Sequence, residues 1–493
     1  MKYTIGLDIG TSGTTLVLTN QKGIIVYQDS SEYDYETIQP GWHEQNPDIW
    51  YQTTLQLVSR VPEKFNRKDI IAVSMAGQMH SLVMINAHGE VIRPAILWND
   101  VRSKEQCDEI TEILGGVESV VNLTGNVALE GFTLSKLLWV KQNEPTNYQR
   151  ISKIMMPKDY VGYRLTGRIY TERSDASGTM IMNLETNEWN KLLMKKLNLN
   201  ENILPEILSS TDIVNVIKPN IAEIMNLDSS TLIIAGGAYN ACSALGNGMF
   251  RDGDSLMSIG TSGTVISLSQ SFPEDLTGNY HYFTHVIDGL SYKMTVILSA
   301  GMSLKWLRDK MLSKKYSYDQ LNEITDSGVI GSKGIVFHPY LSGERSPIRL
   351  SHPAGTFSNL SIDIGIQEII RSVYEGVSYA FRDCLEVIDL KNNEIVITGG
   401  GSKSSVWVQM ISDVSNMSIK TIKNPEGPAY GASLLAGLGV EMYTIEEIKS
   451  NGNFTTDKEF RPSIERHEEY TKSFSKYKYL SKILESIDCT DAN

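Results

Sequence analysis

A chain of 493 residues exceeds what one ordinary core supports, so two or more domains are expected. With 41% hydrophobic and 21% charged residues it reads as a soluble, well-packed globular protein. A formal net charge of −13, with no basic run, argues against nucleic acid or an anionic membrane as the main partner. It leaves open a phosphate site built from backbone N–H groups.

In chain order, residues 1–30 read as a strand meander, with Gln21-Lys22-Gly23 as its second turn. A helix is predicted over 47–62. Strands at Ile70 to Met75 and Leu82 to Ile85 flank Gly77-Gln78-Met79-His80. Helical periodicity dominates 103–114, 133–143 and 159–165, and Ile233 to Ala235 reads as a short buried strand ending at Gly236-Gly237. A long amphipathic helix is predicted over 363–390. A strand at Glu394 to Thr398 runs into Gly399-Gly400-Gly401, and a helix spans 404–416. After about residue 442 the charged stretch reads as helical surface closing the second half. The alternation of strands and helices predicts an α/β protein. No apolar run is long enough to span a bilayer, and the chain starts directly on strand-like Tyr3 to Leu7, so a cytoplasmic protein is expected. Cys107, Cys242, Cys384 and Cys489 lie too far apart for a metal or redox motif and read as reduced, buried thiols.

The most informative feature is a repeat. Residues 8–15 read Asp-Ile-Gly-Thr-Ser-Gly-Thr-Thr and residues 258–265 read Ser-Ile-Gly-Thr-Ser-Gly-Thr-Val, six of eight identical at an offset of 250. Each copy sits between strand-like runs and predicts a tight hairpin whose glycines supply positive φ. Such hairpins offer backbone N–H groups and Thr or Ser hydroxyls to phosphate. The candidates are Gly10, Thr11, Ser12 and Gly13 in one copy, and Gly260, Thr261, Ser262 and Gly263 in the other. Asp8, at the strand end of the first, has the oxygen anion that Mg²⁺ or its water shell needs. Gly400, Gly401 and Ser402 form a turn open enough for adenosine. His281-x-x-x-His285 has zinc-like spacing but falls on strand or loop with no acidic residue between, so it is not read as a metal site.

With these features in order, the chain resembles the FGGY carbohydrate kinases. The resemblance runs from Asp8 to about Gly439. It takes in residues 131–143, Pro157-Lys158-Asp159-Tyr160, Ser174 to Thr179, Leu298-Ser299-Ala300-Gly301, Gly343-Glu344-Arg345-Ser346-Pro347, Tyr374-Glu375-Gly376-Val377 and Gly427 to Ala432. It implies two related actin/hexokinase-like (ribonuclease H-like) domains with a catalytic cleft between them, divided here as 1–246 and 247–493. It also implies ATP and Mg²⁺ as cofactors, a small sugar as substrate, and a homodimer as the suggested assembly. Gly77-Gln78-Met79-His80 and Trp98-Asn99-Asp100 are most similar to the xylulokinase branch, although Ser81 departs from it and aldonate kinases carry similar segments. The similarity implies a sugar pocket lined by Met79, His80, Trp98, Asn99, Asp100 and Asn240, with D-xylulose as first guess.

One departure matters. The resemblance places a catalytic Asp in a Gly-Gly-Gly-Asp-Asn-Ala-like segment, and here Gly236-Gly237-Ala238-Tyr239-Asn240-Ala241 puts Tyr239 there without a gap. An ordinary tyrosine is only about one part in a thousand ionised at pH 7. Three readings follow: a kinase adapted to Tyr239 or using another carboxylate such as Asp8 or Asp100; a sugar- or nucleotide-binding protein without turnover; or an introduced change in an otherwise ordinary enzyme. A kinase with reduced activity is the preferred reading.

Overall fold

The computed structural model describes residues 1–493 apart from 271, 274, 275, 351, 424–426, 452, 453, 492 and 493. Two mixed sheets organise the chain. The first runs Ile213–Val216, Leu232–Ala238, Ile70–Gly77, Tyr3–Ile9, Gly13–Asn20, Ile25–Glu32. The second runs His281–Thr284, Ser291–Ile297, Gly263–Ser269, Ser255–Ile259, Glu394–Thr398, Ser418–Ile422, Thr456–Phe460. Leaving aside His281–Thr284, the two orders correspond strand for strand. Each centres on a strand paired antiparallel to its hairpin mate and parallel to the next strand. Each closes on an antiparallel edge strand. The eight-residue repeat is thus the visible trace of a duplicated six-stranded sheet.

Period-two alternation along Tyr3–Ile9 decides what packs where. Ile5, Leu7 and Ile9 face a core shared with Trp50, Leu57, Tyr160 and Val161. Thr4, Gly6 and Asp8 face the opposite side, where the Thr4 hydroxyl donates to the Ser433 carbonyl at 3.1 Å. Helix Pro428–Gly439 lies on that face of the first sheet and against helix Tyr239–Gly246. The contact is close: a Cβ on Gly431 would stand 1.9 Å from the Cys242 carbonyl oxygen. A division at residue 246 therefore cuts through packing, because a helix from the second half completes the first domain. The second core gathers Met257, Ile259, Val265, Val373, Val377, Phe381 and Trp407.

The predicted elements form within a few residues of their expected bounds, including Pro47–Ser59, Ile366–Ile388, Glu394–Thr398 and Ser405–Ser415. The charged stretch after residue 442 differs from its reading as helical surface. It forms helix Ile445–Ser450, strand Thr456–Phe460 and helix Ile464–Asp491. The strand, Thr-Asp-Lys-Glu-Phe, is a solvated sheet edge whose polar residues carry no apolar alternation. The last helix is more than surface, since Tyr470, Phe474 and Tyr477, at i, i+4 and i+7, are buried in the second core. Cys107, Cys242 and Cys384 are free and buried, while the side chain of Cys489 lies outside the described residues. Among the described residues no helix is long and apolar enough to cross a membrane.

Candidate active site

Both repeated turns are hairpin tips, closed by Gly10 N–H to Gly13 O (3.0 Å) and Gly260 N–H to Ser262 O (2.9 Å). Their glycines do not lie in the left-handed region, contrary to the expectation from sequence. Space is the reason at three of the four: a Cβ would meet the Gly13 carbonyl at 2.8 Å from Gly10, the Ser31 carbonyl at 2.9 Å from Gly13, and the Phe381 ring at 2.7 Å from Gly263, whereas one on Gly260 would come no nearer than 3.5 Å to the Ser262 carbonyl. Among the described residues nothing accepts from the N–H groups of Thr11, Ser12, Thr261 or Ser262, leaving four backbone donors for an anion. The Thr11 hydroxyl, by contrast, is taken. It accepts from Trp98 Nε1 (2.9 Å) and donates to Gln78 Oε1 (3.1 Å), so it adds no donor for phosphate. Ser81 Oγ completes a ring by donating to Gln78 Oε1 and accepting from the Trp98 N–H. The ring ties the first hairpin to the segment carrying Trp98.

In the second domain the carbonyls of Gly260 and Thr261 accept from the Gly301 and Met302 N–H groups. This seats the hairpin on the helix that follows Leu298-Ser299-Ala300. Gly399 (φ +88°) and Gly401 press against Ile259 at the foot of the same hairpin, so the glycine turn and the hairpin form one surface. Among the described residues a Cβ on Gly400 would meet nothing within 4 Å, so Gly400 has room in front of it. Ser402 turns its hydroxyl back onto the Gly399 carbonyl (2.7 Å), so its proton is already used.

Tyr239 opens helix Tyr239–Gly246 directly beyond strand Leu232–Ala238. The strand end is pinned: Ala238 N–H donates to Ser174 Oγ (2.8 Å), and Ser174 donates to the buried Glu172 carboxylate. Tyr239 remains 41% exposed, and its hydroxyl has no hydrogen-bond partner among the described residues. The ring leaves its outer edge to solvent while the hydroxyl turns into the cleft, where lost hydration and the negative charge of Asp8 push the phenol up to about 12. The shift runs against any adaptation of Tyr239 into a base, since about one molecule in 10⁵ would be ionised at pH 7. Asp8 lies on the sheet face that carries this helix. Its Oδ1 is buried without a partner, and burial raises the carboxyl to about 7.

The residues expected to line a sugar pocket gather around His80, which adopts φ +67°. Its Nδ1 lies 2.6 Å from the Gly178 carbonyl, which can only accept, so Nδ1 carries the proton and Nε2 presents a lone pair. Burial lowers His80 to about 3, so the ring is neutral. Phe132 and Phe283 pack on it, with centroids at 4.8 and 5.8 Å. Phe283 comes from the second half and has no motif to announce it. Asn240 Nδ2 rests on Met79 Sδ (3.5 Å), and Asn99 Oδ1 is buried without a partner. Asp100 is fully committed elsewhere. Oδ1 accepts from Arg102 N and Nε, and Oδ2 from an Arg102 terminal nitrogen and from His43 N–H (2.6 Å). It braces the pocket from behind, buried and with both oxygens engaged by Arg102 and His43. His281 lies on a strand and His285 just past its end. His281 Nδ1 meets Asn126 Oδ1, and His285 Nδ1 accepts from Ile287 N–H.

Two predictions arise here. A Cβ on Gly178 would stand 2.9 Å from His80 Nδ1, so Gly178→Ala displaces the ring. With His80 in the sugar wall that the resemblance implies, sugar KM should rise about tenfold or more while ATP KM stays within twofold; equal sugar KM values would contradict that placement of His80. The second concerns pH. His80 falls from 6.5 to about 3 on folding, so its contribution to stability is full above pH 6.5 and is lost as pH falls toward 3. The difference in thermal midpoint between the unaltered chain and His80→Gln should therefore narrow between pH 6.5 and 4.

Sequence profiles for the FGGY family of carbohydrate kinases match residues 3–246 (N-terminal domain) and 255–440 (C-terminal domain). The chain belongs to that family. This FGGY kinase is 37% identical to the xylulose kinase of Staphylococcus xylosus, over 97% of its own length and 99% of that protein's. It superposes on a ligand-bound xylulose kinase from Lactobacillus acidophilus with a TM-score of 0.92 and 26% identity, covering 98% of each chain. It superposes equally well on a gluconate kinase from Lactobacillus acidophilus, with a TM-score of 0.93, 26% identity and 98% coverage of each chain. It is an ATP-dependent sugar kinase by family, and kinases of this family use ATP with Mg²⁺. Asp8 suits the cation, because a buried carboxylate oxygen without a partner is what an oxygen-seeking ion relieves. Among the described residues no group of three or more His, Cys, Asp or Glu converges as a metal cage.

Proposed function

We propose that this kinase transfers the γ-phosphoryl group of ATP to a terminal hydroxyl of a ketopentose, D-xylulose to D-xylulose 5-phosphate, and does so slowly because of Tyr239. The observation that carries the reading is the neutral His80 with a free Nε2, set beside Met79 and Asn240 on the wall that ends at position 239. The xylulose kinases among its relatives support the choice of substrate. A cytoplasmic location, where ATP is available, belongs to the same reading.

Triphosphate would lie across the two hairpin tips, against the N–H groups of Thr11, Ser12, Thr261 and Ser262, with adenosine toward Gly400, Gly401 and Ser402. Mg²⁺ beside Asp8 supplies charge neutralisation when bound. On the sugar side, His80 Nε2 accepts from a substrate hydroxyl, Asn99 and Asn240 supply further polar groups, and Trp98 offers an apolar face to C–H groups. The attacking hydroxyl oxygen bonds to the γ-phosphorus as the bond to ADP breaks, and its proton must leave. A protonated phenol cannot take it. The transition state is loose, with little early proton transfer, so positioning alone retains some rate. The protonated Tyr239 also favours a second reading, a sugar- and nucleotide-binding protein without turnover.

ADP release with Mg²⁺–ATP and a panel of D-xylulose, D-ribulose, glycerol and D-gluconate tests the assignment, run on the unaltered chain and on Tyr239→Asp. D-Xylulose should give the highest kcat/KM. A D-gluconate value tenfold higher would move the substrate class to aldonates.

A further inference from the structure

Arg345 is a cation left without a partner at the edge of the sugar wall. Its loop belongs to the second domain and is fixed there. The Glu344 carboxylate accepts from the Leu298 and Arg345 N–H groups, and Ser346 Oγ accepts from the Val296 N–H at 3.0 Å. The side chain nevertheless ends on the first domain. A Cβ on Gly131 would stand 3.4 Å from one terminal nitrogen of Arg345, 3.8 Å from the other, and 3.0 Å from the Trp98 carbonyl oxygen.

Other buried arginines are saturated. Arg102 binds Asp100 and Glu44, and Arg371 binds Glu375, the Thr325 carbonyl and the Tyr470 hydroxyl. Among the described residues Arg345 has neither a side-chain hydrogen bond nor an ion pair. Lys136, another basic side chain at the same place, spends its ammonium on the Gly131 and Phe132 carbonyls and has no such freedom. Burial presses Arg345 below the usual guanidinium range, the mark of donors that have lost water without gaining an acceptor. A guanidinium has five donors and no acceptor, so the missing partner is an oxygen.

We propose that Arg345 is a substrate-binding residue: it donates to an oxygen of the sugar other than the one phosphorylated, so that a second-domain residue grips a substrate seated on the first. The inference rests on the sugar-kinase reading of the same cleft. It assigns the grip between domains to the substrate itself, so that the sugar bound on the first domain draws the second onto it.

The test uses the full chain carrying Tyr239→Asp as parent, with Arg345→Gln and Arg345→Lys added singly and D-xylulose as the sugar. Arg345→Gln should raise sugar KM by about tenfold to hundredfold, the scale of a lost charged hydrogen bond, while ATP KM stays within twofold. Arg345→Lys should recover part of the loss, because it keeps the charge but not the planar fork. Sugar KM within twofold of the parent in Arg345→Gln would overturn the proposal. If thermal melts show that Arg345→Gln does not fold, Arg345→Lys decides alone: a sugar KM equal to the parent's overturns the proposal, and a selective rise supports it. A parent with no sugar-dependent ADP release at all would bring down the sugar-kinase reading and this inference together. That result is distinguishable from failure at Arg345 alone.

Discussion

Tyr239→Asp is expected to raise kcat for D-xylulose phosphorylation by about 10²–10⁴-fold, the range a positioned general base contributes. The substitution changes two things together. It replaces a phenol held at about 12 by a carboxylate that is ionised at neutral pH, and it clears ring volume from the cleft. The position favours an anion, because residue 239 begins a helix and lies beside N–H groups with no intrahelical acceptor. The neighbouring contacts are already in place, with Asn240 on Met79 and Ala238 pinned to Ser174. Steady-state ADP release measures the gain. Tyr239→Phe separates the causes: a rate within threefold of the unaltered chain is expected, and a hundredfold loss would mean that the tyrosine hydroxyl takes part.

Asp8→Asn in the Tyr239→Asp background should lower kcat by about 10²–10³-fold, the scale of removing one preorganised electrostatic contact. The same change should leave the metal-free protein more heat-stable at pH 8. Burial raises the Asp8 carboxyl from 3.8 to about 7, so its ionised form at pH 8 costs the folded state stability that the neutral amide does not. Lower activity with a higher thermal midpoint is the signature of a strained functional carboxylate. A lower midpoint with unchanged kcat would assign Asp8 to structure alone.

Much of this was legible in the sequence because the duplication left identical residues at the tips of two corresponding hairpins. The repeated Gly-Thr-Ser-Gly located both hairpins, although none of its glycines is at positive φ and contact distance accounts for Gly10, Gly13 and Gly263 but not Gly260. Several motifs turn out to be braces. Ser174 and Glu172 hold the end of the strand before Tyr239, and Glu375 accepts from Arg371 and the Gly331 N–H. Asp100 looked like a ligand by its place beside Trp98, but whether a carboxylate is free depends on Arg102 and on the backbone of His43, a strand away. The Thr11 hydroxyl is lost as a phosphate donor for the same reason, since its proton goes to Gln78, and only its backbone N–H stays available. Phe283 was out of reach because it comes from the other half of the chain with no motif, and the motif that holds Arg345 gave no sign that its side chain ends on Gly131 of the first domain. The return of helix Pro428–Gly439 to the first sheet escaped a division drawn along the sequence. Its signal was the pair of small residues, Gly6 and Gly431, that let backbones touch.

The account stands most directly on the stoichiometry of the Tyr239→Asp variant with Mg²⁺–ATP and D-xylulose, followed by ³¹P NMR alongside ADP release. One sugar phosphate per ADP, with phosphorus coupled to the two protons of a terminal carbon, is the predicted result. ADP formed without sugar phosphate, or no turnover in a variant that still binds both ligands, would contradict it.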